Sequence, residues 1–308
     1  MKKKFLFLIA GSILLLMFSA VRAQGAGTTA ATFLKLGVGA KNIAMGETGA
    51  TDMGPDALHW NPAGISEIEG NTVSFSHAML LSDIGFENAS YCTRFPFGAM
   101  GISFDYLTMP AIDRYDNTGT RQKDSFTPMD AAGAVTYANT FGPIPLGVTL
   151  RYIYSQLDEK AADAVSCDVG AFFHRLIFPE SDRFRIGLVV QNIGTPMKFV
   201  NESFSLPTNV KFGVSYILNE NLNAEVDVNQ ALGTKAIGNA GIEYSYSFSE
   251  DIWLMVRGGV KSNTEGLGGV TGLTGGIGFT YQKISVDYAY VPYGDLDTTQ
   301  RITLNFGF

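Results

Sequence analysis

The chain has 308 residues, a formal net charge of −7, and 46% hydrophobic residues. An acidic chain without a cluster of Lys and Arg is poorly suited to bind nucleic acid, so we expect no nucleic-acid partner. After residue 23, no apolar run reaches the ~18 residues of a helical membrane span, which excludes helices as the means of crossing a bilayer there.

Residues 1–23 have the layout of a cleaved secretory signal. Three lysines at positions 2 to 4 precede an apolar run from Phe5 to Phe18, and Val21-Arg22-Ala23 forms a small-x-small cleavage site. The apolar run is shorter than the ~20 residues that a membrane-spanning helix needs. We therefore predict that the signal is removed and that the exported chain starts near Gln24.

The next segment, residues 24–70, is neither a regular helix nor a linker. Its central stretch from Phe33 to Ser66 contains too many glycines for a long helix and too many apolar side chains for a disordered region. The apolar side chains available for packing are Phe33, Leu34, Leu36, Val38, Ile43 and Met45. This segment needs a surface to pack against, and the rest of the chain is predicted to provide it.

From Asn71 onward, apolar residues recur at every second position, which is the period of a β-strand with two different faces. A clear case is the apolar series Met100, Ile102, Phe104 and Tyr106, which alternates with Gly101, Ser103 and Asp105. The pattern predicts fourteen strands, at roughly residues 71–80, 86–95, 99–107, 130–141, 145–157, 162–175, 184–192, 208–218, 221–229, 238–248, 252–260, 271–281, 284–290 and 300–308.

The connections between these strands alternate between tight turns and long loops. The long connections, residues 108–129, 193–207, 261–270 and 291–299, are polar or rich in glycine. Short turns on one side and long loops on the other are typical of bacterial outer-membrane barrels, as is an even number of strands. The turn at residues 176–183 is an exception on the short side.

These patterns predict an all-β protein: a transmembrane antiparallel β-barrel of about fourteen strands, formed by residues 71–308. A secreted soluble protein with two packed sheets is the alternative, but it does not require aromatic residues at the strand ends. Tyrosines suited to an interfacial girdle are Tyr152, Tyr154, Tyr244, Tyr246, Tyr288, Tyr290 and Tyr293. The face opposite the apolar one carries Asp105, Arg151, Asp168, Glu225, Asp227, Glu243 and Asp287, which predicts a polar inner wall.

A barrel of fourteen strands lies between the small barrels that side chains fill and the larger ones that hold an aqueous channel. Because the inward positions here are often Gly, Ser or Thr, we expect an open lumen. Residues 24–70 are the segment with the length and apolar character to occupy it. The domain organisation is therefore a signal peptide (1–23), a luminal hatch (24–70) and a barrel (71–308).

The most distinctive part of the predicted hatch is a short motif, formed by Trp60, Asn61, Pro62, Ala63 and Gly64. Proline fixes φ and biases the preceding residue away from helix, and an Asn side chain bonds nearby backbone, so the motif predicts a rigid turn. Trp60 would anchor the turn against the barrel wall. Two roles stay open for the motif, structural packing and gating.

No residues form a recognisable catalytic or metal site. The histidines His59, His77 and His174 lack metal-ligand spacing, and Cys92 and Cys167 are predicted to be free thiols on different faces of separate strands. Asp113, Asp116 and Asp124 lack the EF-hand spacing, which favours a solvated loop over a Ca²⁺ site. The stretch from Gly266 to Gly272 has neither the Lys nor the following helix of a phosphate loop. We therefore predict no enzyme activity, cofactor or metal, and assign no ligand-binding residues.

Several residues before the first strand carry a resemblance to a known family. They are Thr28 to Ala31, Phe33-Leu34, Gly37 to Ala40, Met45-Gly46 and His59 to Gly64. A shorter match lies in the barrel, at Gln191 to Gly194. These stretches resemble the amino-terminal signature of PorV/PorQ-type outer-membrane proteins, which belong to a wider FadL-like group of fourteen-stranded barrels with a luminal hatch.

The resemblance implies a bacterial outer-membrane location and a non-enzymatic role in protein secretion of the type IX kind. The implied partners are outer-membrane lipid, secreted cargo proteins, and secretion or attachment components. The FadL-like alternative is passive transport of a hydrophobic small molecule, such as a fatty acid or an aromatic compound. The polar inner wall predicted above favours the secretion role.

Overall fold

The structure, a computed structural model, describes residues 29–179, 181, 183–262 and 271–308. The predicted signal peptide, the first residues of the predicted hatch, and most of the loop at residues 261–270 lie outside the described residues. Among the described residues, no helix has the length and apolar character needed to cross a bilayer.

Alternating side chains produce strands along most of the described chain. In order these are β1 (Asn71–Met79), β2 (Gly85–Phe95), β3 (Gly98–Thr108), β4 (Ile112–Tyr115), β5 (Arg121–Phe126), β6 (Met129–Phe141), β7 (Ile144–Leu157), β8 (Lys160–Phe172), β9 (Phe184–Gly194), β10 (Met197–Lys198), β11 (Ser203–Phe204), β12 (Asn209–Asn219), β13 (Leu222–Ala231), β14 (Ile237–Ser249), β15 (Ile252–Lys261), β16 (Leu273–Tyr281), β17 (Ile284–Pro292) and β18 (Thr298–Gly307).

Fourteen of these strands form a closed antiparallel barrel, as the alternation predicted. Neighbouring barrel strands pair along the whole ring, and β1 closes it by pairing with β18, where Thr72 lies opposite Gly307. The remaining strands form two small hairpins, β4 with β5 and β10 with β11. Closure leaves the barrel without an unpaired sheet edge, which is the condition for spanning lipid with strands.

The two faces of each barrel strand differ as predicted. On β7, the side chain of Leu150 is 60% exposed on the outer face, whereas its neighbours Thr149 and Arg151 are buried in the lumen. All seven charged residues predicted for the inner wall face the lumen: six are buried, and Glu243 is partly buried and pairs with Arg257. Cys92 and Cys167 are free thiols on opposite faces. The outer face is therefore apolar and the inner wall polar.

Aromatic side chains are concentrated where the barrel strands end. At the short-turn end, stacked or edge-on pairs form between Phe95 and Phe97, between Tyr246 and Phe248, and between Phe306 and Phe308. At the other end, Tyr152 and Tyr290 are exposed on the outer face. The prediction for Tyr293 is wrong, because this side chain packs against a buried cluster that includes Trp60 and Ala289. The centroid of its ring lies 5.4 Å from Lys261 Nζ.

One further prediction, about the connection after β8, needs correction. The chain after β8 turns into a short helix, His174–Ile177, instead of continuing as a strand to residue 175. The rings of Phe178, Phe184 and Tyr216 stack with centroids 4.9 and 4.5 Å apart and hold this turn at the barrel end. The connection at residues 108–129, predicted to be long and polar, contains the largely exposed hairpin β4–β5.

Residues 29–70, here named the luminal segment, pack against the inner face of the barrel. The segment contains two short α-helices, Ala40–Ala44 and Ala57–Trp60, and two 3-10 turns, Thr32–Lys35 and Pro62–Glu67. It contacts strands on opposite sides of the ring, including β7, β8, β16 and β17. Other short helical turns are Leu81–Asp83 and Gly294–Leu296.

A charge on the outer face distinguishes a lipid-spanning barrel from a soluble sandwich. We expect Leu150→Lys, in the middle of β7, to destabilise the protein refolded into lipid vesicles by about 2–4 kcal/mol, because the ammonium group loses its hydration. Leu157→Lys, at the exposed end of the same strand, is the control and should cost about 0–1 kcal/mol. Equal effects in denaturant unfolding would contradict a lipid-facing Leu150.

Candidate functional site

The five residues of the predicted motif lie buried at the centre of the luminal segment. Trp60 ends one short helix, Asn61 has an extended backbone, and Pro62 begins the following 3-10 turn. The Asn61 side chain accepts a hydrogen bond from the Ala63 N–H (3.1 Å) and donates one to the Ala50 carbonyl (2.6 Å). The motif therefore forms the rigid turn that its Asn-Pro sequence predicts.

Trp60 is the residue around which the segment packs. Its indole N–H donates to the Val38 carbonyl (2.8 Å), and the Lys211 ammonium lies 4.0 Å from the centroid of the ring. Gly37 and Gly49 lie so close to the ring that a Cβ on them would come within 2.7 and 2.6 Å of it. Trp60 thus joins two turns of the segment to β12 of the wall.

The barrel wall has no side chains where the segment approaches most closely. At eight inward glycines, an added Cβ would lie within 3.0 Å of an atom of the luminal segment: Gly101, Gly147, Gly170, Gly187, Gly213, Gly241, Gly259 and Gly276. They lie on eight strands around the ring, namely β3, β7, β8, β9, β12, β14, β15 and β16. We name them the glycine ring. Backbone of the segment and backbone of the wall can meet only because these positions lack a Cβ.

Two carboxylates of β13 bind the backbone of the segment. Asp227 Oδ2 accepts hydrogen bonds from the N–H groups of Gly49 (2.8 Å) and Ala50 (2.9 Å). Glu225 Oε1 accepts from the Thr51 N–H (3.2 Å) and hydroxyl (2.6 Å). These N–H groups are buried outside regular structure, so without the carboxylates they would lack partners.

Strands β15, β16 and β18 bind the same segment with hydroxyls and cations. Thr274 Oγ1 accepts from the Gly46 N–H (3.0 Å) and donates to the Ala44 carbonyl (2.8 Å), and Thr303 Oγ1 accepts from the Ala40 N–H (2.8 Å). Charged groups complete the attachment: Lys261 Nζ lies 2.6 Å from Glu47 Oε1, and Arg301 donates to the Gly37 carbonyl. Each buried bond left unmade would cost roughly 1–3 kcal/mol, so the attachment opposes displacement of the segment.

The lumen is divided into two chemically different halves. On the long-loop side, Phe33 and Leu34 of the segment pack in an apolar cluster with Phe86, Leu107 and Ile153 of the wall. On the short-turn side, the inner wall is charged, and Arg257 pairs with both Glu243 (2.5 Å) and Asp287 (2.5 Å). The segment lies between these halves.

The buried ionisable groups of the segment have shifted protonation equilibria. The neighbouring Asp52 carboxylate, 2.9 Å away, raises the pKa of Lys41. Burial, with a smaller contribution from Asp52, raises the pKa of Asp56 from 3.8 to about 7. Burial also lowers the pKa of His59, which keeps this imidazole neutral at neutral pH.

The other residues considered from the sequence are not brought together. His59 lies in the segment, His77 faces outward beside Glu87 (2.6 Å), and His174 lies in the turn after β8. Of the three loop aspartates, Asp113 pairs with Arg121 and Asp124 with Arg114, while Asp116 accepts from loop N–H groups.

Sequence reasoning missed the residues that hold the segment in place. The sequence predicted that Asp227 and Glu225 face inward, but it did not predict their hydrogen bonds to the segment. It gave no indication of the roles of Thr274, Thr303 and Arg301. One available signal was the recurrence of glycine at inward positions on successive strands, which indicates close approach of another backbone.

Comparisons with known proteins agree with this architecture. A family model described as type IX secretion system protein PorV matches residues 19–235. No curated protein matches the chain. The crystal structure of the toluene transporter TodX from Pseudomonas putida is similar, with a TM-score of 0.60 and 12% identity, over 87% of this chain and 96% of that one. A deletion mutant of the TodX monoaromatic hydrocarbon channel has a TM-score of 0.56 at 12% identity, over 87% and 97% of the two chains. At this identity the likeness shows the fold alone.

Substitution of one glycine in the glycine ring by alanine tests whether the segment packs against the barrel wall. In Gly170→Ala the new Cβ would strike Asn61 and Pro62, and overpacking of this kind costs about 1–3 kcal/mol. We expect the barrel to assemble but trypsin to cut faster after Lys35 or Lys41, as read by mass spectrometry. In Gly133→Ala, the control on the outer face, the Cβ meets nothing within 4 Å, and cleavage should stay at the wild-type rate. Equal cleavage rates in both variants would show that the segment does not pack against the wall at Gly170.

The raised pKa of Asp56 predicts a pH dependence of stability. Because the fold favours the protonated carboxyl, the stabilisation is complete below pH about 4 and is lost as the pH rises through about 7. We expect the thermal midpoint of the wild-type protein to fall between pH 5.5 and 8.5 more than that of Asp56→Asn, by calorimetry. Parallel curves for the two proteins would show that Asp56 does not titrate in this range.

Proposed function

Because this chain belongs to the family of the type IX secretion system protein PorV, we propose that it acts in protein secretion at the outer membrane. In this role it is a non-enzymatic barrel that binds secreted cargo or secretion components at its extracellular mouth. The short-turn end then faces the periplasm and the long loops face outward.

The attachment of the luminal segment is the observation that carries this proposal. Asp227 on β13 and Thr274 on β16, three strands apart in the ring, bind adjacent parts of the segment, and Thr303 on β18 binds a third part. A conduit would require several of these buried bonds to break together. A closed barrel is better suited to present a binding surface than to pass solutes, and it keeps the outer membrane sealed.

A hairpin that is ion-paired to a neighbouring turn supports binding at the extracellular mouth. Within β4–β5, Arg114 pairs with Asp124 (2.7 Å), and the same guanidinium reaches Asp158 in the turn between β7 and β8. The apolar side chains of Ile112 and Tyr115 are 45% and 62% exposed on this hairpin. Exposed apolar and aromatic side chains on a preorganised element are suited to protein contacts.

For the motif from Trp60 to Gly64 we propose a hatch role in which residues 24–70 keep the lumen closed. Trp60, Asn61 and Pro62 all contact other parts of the segment or the glycine ring. These contacts favour a packing role over a gating role. Movement of the motif would break its hydrogen bonds to Val38 and Ala50 and its contacts with the wall.

Passive transport of a hydrophobic small molecule is the second candidate function. The apolar cluster on the long-loop side favours it, because withdrawal of Phe33 and Leu34 would leave an apolar pocket between Phe86, Leu107 and Ile153. The charged half of the lumen on the periplasmic side disfavours it, since an apolar solute would have to cross that region.

Excision of the hairpin tests the secretion role. Thr108 and Met129 lie opposite each other at the ends of β3 and β6, so a two-residue Asn-Gly turn can replace residues 109–128. We expect this variant to reach the outer membrane and show normal heat-modifiable migration, yet to secrete less cargo and co-purify with fewer secretion components. The double variant Ile112→Ser, Tyr115→Ser keeps the hairpin and should show the same defect in weaker form.

The same strains separate the two candidate functions. Normal secretion in the excision variant, together with impaired uptake of labelled fatty acid in a strain lacking the protein, would contradict the secretion role and support transport. Co-purification of the wild-type protein with lipid but with no protein partner would also contradict the secretion role and support transport.

A further inference from the structure

A cavity of about 490 Å³ opens at the periplasmic end of the lumen, below the luminal segment. Its inner wall is formed by Asp52 and Asp56 of the segment, and the surrounding strands contribute Glu243, Trp253 and Asp287. The secretion role proposed above uses only the extracellular side, so this cavity has no part in it.

The cavity carries an excess of negative charge. Among the described residues, four carboxylates line it, those of Asp52, Glu220, Glu243 and Asp287, against the two cationic groups of Lys41 and Arg257. The Asp56 carboxyl also lines the cavity, but its raised pKa of about 7 leaves it partly protonated at neutral pH. Arg257 is shared by two of the carboxylates, and among the described residues the Lys41 ammonium bonds Oδ1 of Asp52. The charge balance therefore favours a positively charged ligand.

An unsatisfied carboxylate oxygen gives independent support for a ligand. The Asp52 side chain is 2% exposed, and its Oδ2 atom has no hydrogen-bond partner among the described residues. A buried carboxylate oxygen without a donor costs free energy, so a ligand that donates a hydrogen bond would stabilise it.

The remaining lining residues define the chemical class of that ligand. Trp253 points inward from β15 and is half-buried, and Met53, Pro55 and Met255 lie in the same wall. Indole rings attract organic cations through their faces, and thioethers and proline pack against methylene groups. We propose that this cavity binds an organic cation with an alkylammonium group, whose charge lies among the carboxylates and whose methylenes contact Trp253.

This chemistry has two sources in the periplasm, a free polyamine and the lysine side chain of a partner protein. Spermidine represents the first, and a short peptide containing one lysine, blocked at both ends, represents the second. The protein has two tryptophans, and Trp60 is buried in the segment, so a ligand in the cavity should act mainly on the emission of Trp253.

The experiment titrates the purified full-length protein in detergent with each probe, followed by tryptophan emission and by calorimetry. We expect saturable binding of at least one probe and at least tenfold weaker binding by Trp253→Phe and by Asp52→Asn. The exposed Glu250→Gln, in the turn beside the cavity, is the matched control and should bind as the wild type does.

Resistance of the segment to trypsin shows whether each variant keeps its fold. Trp253→Phe changes a residue of β15 and none of the luminal segment. Tighter binding of spermidine identifies a free polyamine, and tighter binding of the peptide identifies a partner side chain. The proposal is overturned if neither probe saturates, if Trp253→Phe binds as tightly as wild type, or if MgCl₂ at equal ionic strength produces the same signal. None of these outcomes depends on whether the protein functions in secretion.

Discussion

The structure depends on one constraint: the irregular backbone of the luminal segment is buried, and its polar groups need partners. A segment without long helices or strands cannot satisfy its own N–H and C=O groups. Side chains of the barrel wall supply the hydrogen-bond partners. The carboxylates of Asp227 and Glu225 accept from N–H groups of the segment, and the Thr274 hydroxyl accepts from one N–H group and donates to one carbonyl. A polar inner wall is therefore required for a filled lumen and does not by itself indicate an aqueous pore.

The glycine ring is the steric counterpart of these bonds. Hydrogen bonds from wall side chains reach the segment only if the two backbones come close, and a Cβ at Gly147 or Gly170 would prevent that approach. Glycine weakens a strand, yet in a closed barrel each strand is paired on both sides, so the loss is tolerated. The glycines and the polar wall side chains are therefore both required. Side chains at the glycine positions would collide with the segment, and loss of the polar side chains would leave buried N–H and C=O groups unpaired.

The segment also explains why the two ends of the lumen differ. Phe33 and Leu34 form the apolar side of the segment, which faces the long loops, whereas Asp52 and Asp56 lie on its charged side, which faces the short turns. The two ends of the barrel therefore differ in chemistry. The long-loop end has a partly apolar hairpin, and the short-turn end has an acidic cavity with an indole in its wall.

The sequence by itself determined the strands, their faces and the barrel, because alternation with period two is a local property that each strand carries independently. It also determined the Asn61-Pro62 turn, since proline restricts the backbone locally. It did not reveal the hairpin β4–β5, whose charged residues alternate without an apolar face, or the inward position of Tyr293. Only the tertiary structure decided which wall residues hold the segment, because Gly49 and Asp227 are 178 residues apart and meet only when the closed ring sets the strand register.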